Sequence, residues 1–192
     1  MPPRAKPLSP DDRRKALVEA TIPLLLEHGR AVTTKQIADA AEVAEGTIFR
    51  VFDSKDDLVT AAVEQALDME PFLADLESVD LDQDLRARLV DLCTRLQDRF
   101  RGIFLLMSAM GMVAPPKAHR HREDGRRRAE KIMVAVVEVD ADRLTCTPVE
   151  LVHMLRMLTF SGTHPHISDG HLLTPDQIVG TLLDGVLKRE DR

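Results

Sequence analysis

The segment TTKQIADAAEVAEGTIFRVFDSKDDL, residues 33–58, constrains the fold more tightly than any other stretch of the chain. Thr33 followed by Gln36 has the spacing of a capping box, in which a hydroxyl and an amide side chain serve the orphan N–H groups of a helix start. Ser54 with Asp57 repeats that spacing at the start of a later helix, which runs through Leu58, Ala62 and Leu67 towards Met69. Between them lie a short helix with Ile37, Ala38 and Ala41 on its inner face, a tight turn at Glu42-Val43-Ala44, and a second short helix from about Glu45 to Val51. Ala38, Ala41 and Val43 are small or apolar where two crossing helices must approach. Ile48 and Phe52, four apart, plug one core. Glu45, Gly46, Thr47, Phe49 and Arg50 are left on or near the free surface. A short helix that turns its N-terminal residues outward is how a recognition helix meets a major groove. By periodicity alone, any small helical hairpin also reads this way.

The rest of the chain is helical by the same signals. Trp and Tyr are absent and aromatics total 3% of the 192 residues, which favours helix over strand. Hydrophobic residues at 44% and charged residues at 30% allow a real core and argue against disorder. Residues 1–9 read as a flexible tail. A helix follows from Pro10 to His28, capped by Ser9, with Leu17, Ala20, Leu24 and Leu25 as its apolar stripe; Pro23 predicts a bend or a break, and Gly29 a stop. Pro71 and the acidic stretch 77–84 mark a joint. A long helical pattern runs from Leu85 to Phe104, and Gly102 and Gly111 divide it from a short apolar helix holding Leu105 to Met110. Pro115-Pro116 is a stop. The polar run 117–128 leads into an amphipathic helix through Ile132, Val136 and Val137. Thr147-Pro148 and Thr174-Pro175 open the last two helices, with a loop at 164–173 between them. The expectation is an all-α chain of about nine helices without internal repeats.

The segment from Thr33 resembles the signature of the TetR family of transcriptional regulators. Thr33-Thr34, Ile37-Ala38, Ala40-Ala41, Val43, Gly46-Thr47, Phe49, Phe52 and Ser54-Lys55 match in order and spacing, over the first quarter of the chain. The resemblance implies a three-helix helix-turn-helix domain at 10–60 and a helical ligand-binding and dimerisation domain at 61–192. It implies that Thr34 bonds a phosphate at a helix N-terminus, that Gly46 and Thr47 approach the backbone and a base edge, that Arg50 takes a phosphate or a guanine, and that Lys55 sits on a phosphate. Thr33, Lys35, Glu45 and Phe49 complete the DNA-facing set. This chain departs from the pattern in four places. Glu42 stands where the turn usually carries Gly. Ala44-Glu45 replaces a hydroxyl and a base, and Glu45 either accepts from a cytosine amino group or repels phosphate. Phe49 replaces a Tyr, and Val51 a second aromatic. Arg4 and Lys6 of the tail either reach a minor groove or stay idle.

The implied partners are a double-stranded operator, a second copy docked through 148–162 and 174–188, and a small effector. Both of those helices are apolar on more than one face. Phe100, Phe104, Met107, Met110, Met133, Val137, Met154, Met157 and Phe160 are the candidate lining of an apolar or amphipathic effector site, each also readable as ordinary core. The basic run His119 to Arg128 reads as an anion site or as a solvated loop with a helix start. His164 to His171 reads as a metal site or a surface loop, and no metal or cofactor is expected. The net charge of −6 argues against a non-specific nucleic-acid coat and leaves room for a local DNA-reading face. Cys93 and Cys146 form no disulfide framework or zinc pattern. A single Glu150-x-x-His153 falls short of a di-iron set, and no nucleophile elbow, phosphate loop or HExxH is present, so no enzyme is expected. Without a signal region or an apolar run of membrane length, the expectation is a cytoplasmic protein. The competing expectation is a TetR-like ligand or interaction protein that has lost its DNA.

Overall fold

A computed structural model describes residues 9–112 and 119–186, with side chains omitted at 119–122. The tail expectation, including Arg4 and Lys6, falls outside the described residues except at Ser9. The described residues carry eight α-helices: α1 (Pro10–His28), α2 (Thr34–Ala40), α3 (Lys55–Ala66), α4 (Glu70–Glu77), α5 (Leu85–Ala109), α6 (His119–Glu138), α7 (Pro148–Thr163) and α8 (Pro175–Val186). Three 3-10 turns join them, at Gly29–Ala31, Glu45–Arg50 and Ala141–Arg143. The all-α expectation holds.

These helices form two compact units. One holds residues 9–67 and 105–112, the other 68–104 and 119–186. A single cut near residue 60 misses that the end of α5 packs with the first unit, so α5 contributes residues to both.

In the first unit α1 packs against α2 and α3. Leu17, Leu25, Val32, Ile37, Ile48, Phe52, Leu58 and Ala62 are buried. Pro23 leaves α1 as one unbroken helix. Burial of Leu17, Val18, Thr21 and Leu25 anchors the helix on both sides of the proline, against a local cost of about 3 kcal/mol. Gly29 stops the helix as expected, at φ 56° and ψ −136°. A Cβ there would lie 2.1 Å from the Ala109 carbonyl oxygen, so only glycine lets the end of α5 come this close. Arg30 Nε donates to the Met110 carbonyl at 3.2 Å beside it.

Three local expectations are corrected. α3 ends at Ala66, short of Met69, because Pro71 already opens α4. Gly102 does not divide α5, since an exposed glycine costs a helix only about 1 kcal/mol and the buried Leu96 and Leu106 hold either side. Gly111 does end it, at φ 60°, with Gly111 N–H donating to Ser108 O and Met112 N–H to Met107 O. Those two bonds make a Schellman stop. The polar run 117–128 is helical from His119 onward. Gly125 lies so close to Met69 that a Cβ would fall 2.8 Å from its side chain, and Arg128 forks onto Glu70 of α4 at 2.5 and 3.2 Å.

The second unit has its own core, built from Leu73 and Leu76 of α4, Leu89 and Leu92 of α5, Met133 and Val137 of α6, Leu151 and Leu155 of α7, and Ile178 and Val179 of α8. The buried Arg88 pairs with Asp140 and donates to the Leu81 carbonyl at 3.2 Å. No helix among the described residues is long and apolar enough to cross a membrane.

Candidate nucleic-acid interface

The candidate surface is assembled by three local devices in the first unit. The first is the start of α2. Thr33 Oγ1 accepts from Gln36 N–H at 3.2 Å while Gln36 Oε1 accepts from Thr33 N–H at 2.8 Å, the reciprocal box read from the sequence. The box leaves the first-turn N–H groups of Thr34 and Lys35 over.

The second device is the turn. Glu42 adopts φ 54°, a left-handed conformation that suits glycine. Val43 N–H then donates to Ala38 O at 3.0 Å and the chain reverses into the 3-10 turn Glu45–Arg50. The recognition element is therefore a tight 3-10 turn, with Ile48 fully buried and Phe52 nearly so. Glu45, Gly46, Phe49 and Arg50 are exposed and Thr47 half-buried, as expected. Phe49 is 54% exposed, a large apolar ring with no intramolecular reason to face water.

The third device fixes this turn against its neighbours. The Arg14 guanidinium of α1 lies 4.2 Å over the Phe52 ring. Ser54 caps α3, accepting from Asp57 N–H at 3.1 Å. The Asp57 carboxylate reaches only the Ser54 hydroxyl, at 2.8 Å, since Asp is one methylene shorter than the Glu of a full box. Lys55 Nζ donates to the carbonyls of Val32 at 3.0 Å and Arg30 at 3.4 Å. It thereby ties α3 to the loop before α2, and the third of its donors remains for an anion.

One contact at this surface has no counterpart in the sequence reading. Thr34 Oγ1 donates to Glu45 Oε1 at 2.5 Å, linking α2 to the recognition turn across eleven residues. In this unit acidic side chains outnumber basic ones, and Glu42 and Glu45 both stand exposed.

The family model of bacterial regulatory proteins, TetR family, matches residues 17–62, which span α1 through most of α3. Over that stretch the chain is similar to the TetR family of bacterial regulatory proteins. A Bacillus subtilis (strain 168) relative, the uncharacterised HTH-type transcriptional regulator YvkB, is 40% identical over 72 residues, 37% of this chain and 38% of that one. The chain thus aligns with under two-fifths of that relative's length. The whole fold is also shared. A TetR regulator from Haloarcula marismortui superposes with a TM-score of 0.58 at 19% identity, over 93% of this chain and all of that one. SmeT, the repressor of the Stenotrophomonas maltophilia multidrug efflux pump SmeDEF, superposes with a TM-score of 0.57 at 20% identity, over 92% of this chain and 91% of SmeT. At these identities the likeness is one of fold.

The nine expected effector-site residues fall in both units. Met107 and Met110 belong to the first unit, where Met110 is buried. The other seven belong to the second. Met133 and Val137 are core there, at 1% and 0% exposure, and Met154 packs against that core. Met157 is exposed. Phe100, Phe104 and Phe160 do come together, with ring centroids 5.1–6.1 Å apart. His164 joins them, 4.5 Å from Phe104, and its buried Nδ1 has no hydrogen-bond partner. His164 ends α7 where the loop at 164–173 begins, and its i+4 spacing from Phe160 is the sequence signal for this meeting. No group of His, Cys, Asp and Glu able to hold a metal occurs among the described residues. In the basic run, Arg128 is held by Glu70, which raises its pKa, and Arg127 lies near Glu123 and Asp124.

Proposed function

We propose that the chain is a ligand-responsive repressor that binds a palindromic operator as a homodimer. The observation that carries this reading is the capped α2, turn and recognition segment, which presents Thr47, Phe49 and Arg50 outward on the stretch matched by the family model. Arg50 supplies a fork for phosphate or guanine, Lys55 a phosphate contact, and Gly46 close approach of the backbone. Thr33, Thr34, Lys35 and Glu45 flank them.

A second copy docks through α7 and α8. Val149 at 51%, Met157 at 55% and Phe160 at 36% exposure lie with His153 along α7 at the spacing of one helix face. Burial of that face in a twofold partner removes the exposure. The effector is apolar and aromatic-bearing. It packs on Phe100, Phe104 and Phe160, and the unpartnered His164 Nδ1 gives it one polar anchor. SmeT, which shares the fold, forms a complex with triclosan. Because α5 supplies both Phe100 and Phe104 and the segment that docks at Gly29 and Arg30, occupancy at the aromatic cluster biases α5, shifts α3 and separates the paired recognition turns.

The second reading is a TetR-like binding protein with weakened DNA affinity, favoured by the acidic balance of the first unit and by Glu42 and Glu45. Selection of genomic DNA fragments by the purified protein, repeated across salt, separates the two. A recovered palindrome whose affinity falls steeply with salt supports the operator. No enrichment at low salt, with or without small aromatic compounds, rejects it.

A further inference from the structure

The Thr34 hydroxyl carries one hydrogen, and that hydrogen goes to Glu45 Oε1 at 2.5 Å. An ionised phosphate only accepts, so a hydroxyl already donating to a carboxylate has nothing to give it. Thr33 cannot take over the contact, because its own hydroxyl donates to Gln36 Oε1 at 2.8 Å. The bond also acts on Glu45. A solvent-exposed glutamate samples many rotamers, and fixing one oxygen orders the side chain while leaving the second oxygen and its lone pairs available. Glu45 is exposed at the first position of the recognition turn, where residues meet base edges. Against phosphates a carboxylate is repelled. Against a base edge it accepts from the cytosine N4 amino group.

We propose that Thr34 is a positioning residue, which holds Glu45 for direct readout of one cytosine in each operator half-site. This rests on the operator-binding reading and names the base at one position of it. Thr34 then contributes to sequence choice and not to phosphate contact.

The test is selection from a random duplex library with the full-length protein and its Glu45→Gln, Glu45→Ala, Thr34→Val and Thr34→Ser variants, followed by affinities across salt. The wild type enriches a palindrome with cytosine at one position per half-site. Glu45→Gln moves that position alone towards adenine, which glutamine pairs bidentately. Thr34→Val lowers the cytosine preference roughly tenfold with an unchanged salt slope, and Thr34→Ser restores it. Glu45→Ala binding every sequence more tightly with unaltered preferences would make Glu45 a simple repulsive brake and overturn the proposal. Thr34→Val weakening binding to every sequence alike, with preferences intact, would return Thr34 to the phosphate and overturn it too. A wild type that enriches a palindrome independent of Glu45 rejects only this proposal. A wild type that enriches nothing rejects the operator-binding reading with it.

Discussion

At Glu42 the backbone takes φ 54° with a long charged side chain attached. A non-glycine residue in this region costs about 1–2 kcal/mol. The departure from glycine noticed in the sequence is thus a strained position, and its exposed side chain stands just before the 3-10 turn Glu45–Arg50. Glu42→Gly removes the strain and one negative charge. Thermal unfolding should shift up by about 2–4 °C, from about 1 kcal/mol of relief in a chain of this size, and affinity for any duplex should rise at low salt. An unchanged melting point would show that the turn relaxes around the glutamate.

At the scale of elements, the helix starts follow from spacing alone. Thr147 and Glu150 form the reciprocal box of α7, with Glu150 N–H on Thr147 Oγ1 at 3.2 Å and Thr147 N–H on Glu150 Oε2 at 2.8 Å. The Thr147 backbone N–H, then its hydroxyl, hold the Glu150 carboxyl below the usual range. A depressed carboxylate pKa stabilises the folded state above the ordinary value, and the contribution fades as pH falls through the folded one. Thr147→Val keeps the N–H bond and removes the hydroxyl. Its Glu150 titration, followed by carboxyl chemical shifts, should move part of the way back to the ordinary range, and stability should drop by about 1 kcal/mol. No movement would mean that the hydroxyl plays no part. The contact between Gly29 and the end of α5 is of another kind, since it joins elements far apart in sequence. Gly29→Ala puts a Cβ 2.1 Å from the Ala109 carbonyl oxygen and into a left-handed backbone. The expected loss is at least about 1–3 kcal/mol, read as faster hydrogen exchange at both α1 and the end of α5. Exchange confined to α1 would show that α5 is not docked there.

For the whole molecule, the proposed docking of a second copy rests on the exposed face of α7. Met157→Asp places a charge at the centre of an apolar patch and leaves the monomer core untouched, because Met157 is 55% exposed. Sedimentation should then show a monomer for the variant and a dimer for the wild type, with half-site binding weakened far more than monomer stability. A Met157→Asp dimer would move the interface elsewhere. The buried Cys93 thiol, its pKa pushed up by burial and only partly offset by its hydrogen bond with Thr159, belongs to the core of the second unit and should resist alkylation in the native protein.

By itself the sequence determined the all-α class, the capped starts of α1, α2 and α3, the Thr-Pro starts of α7 and α8, and the outward set Glu45, Gly46, Phe49 and Arg50. Each of these depends on residues within four positions of one another, where helix geometry fixes who meets whom. Tertiary structure decided the rest. Pro23 and Gly102 carry local break signals worth about 1–3 kcal/mol, which packing on both sides outweighs. The polar run before Ile132 becomes helix because Gly125 and Arg128 find Met69 and Glu70 more than fifty residues away. Thr34 meets Glu45, and His164 meets Phe104, only once turns and core packing have brought their elements together. A linear pattern records periodicity and caps; it does not record which distant side chain spends a shared hydrogen bond.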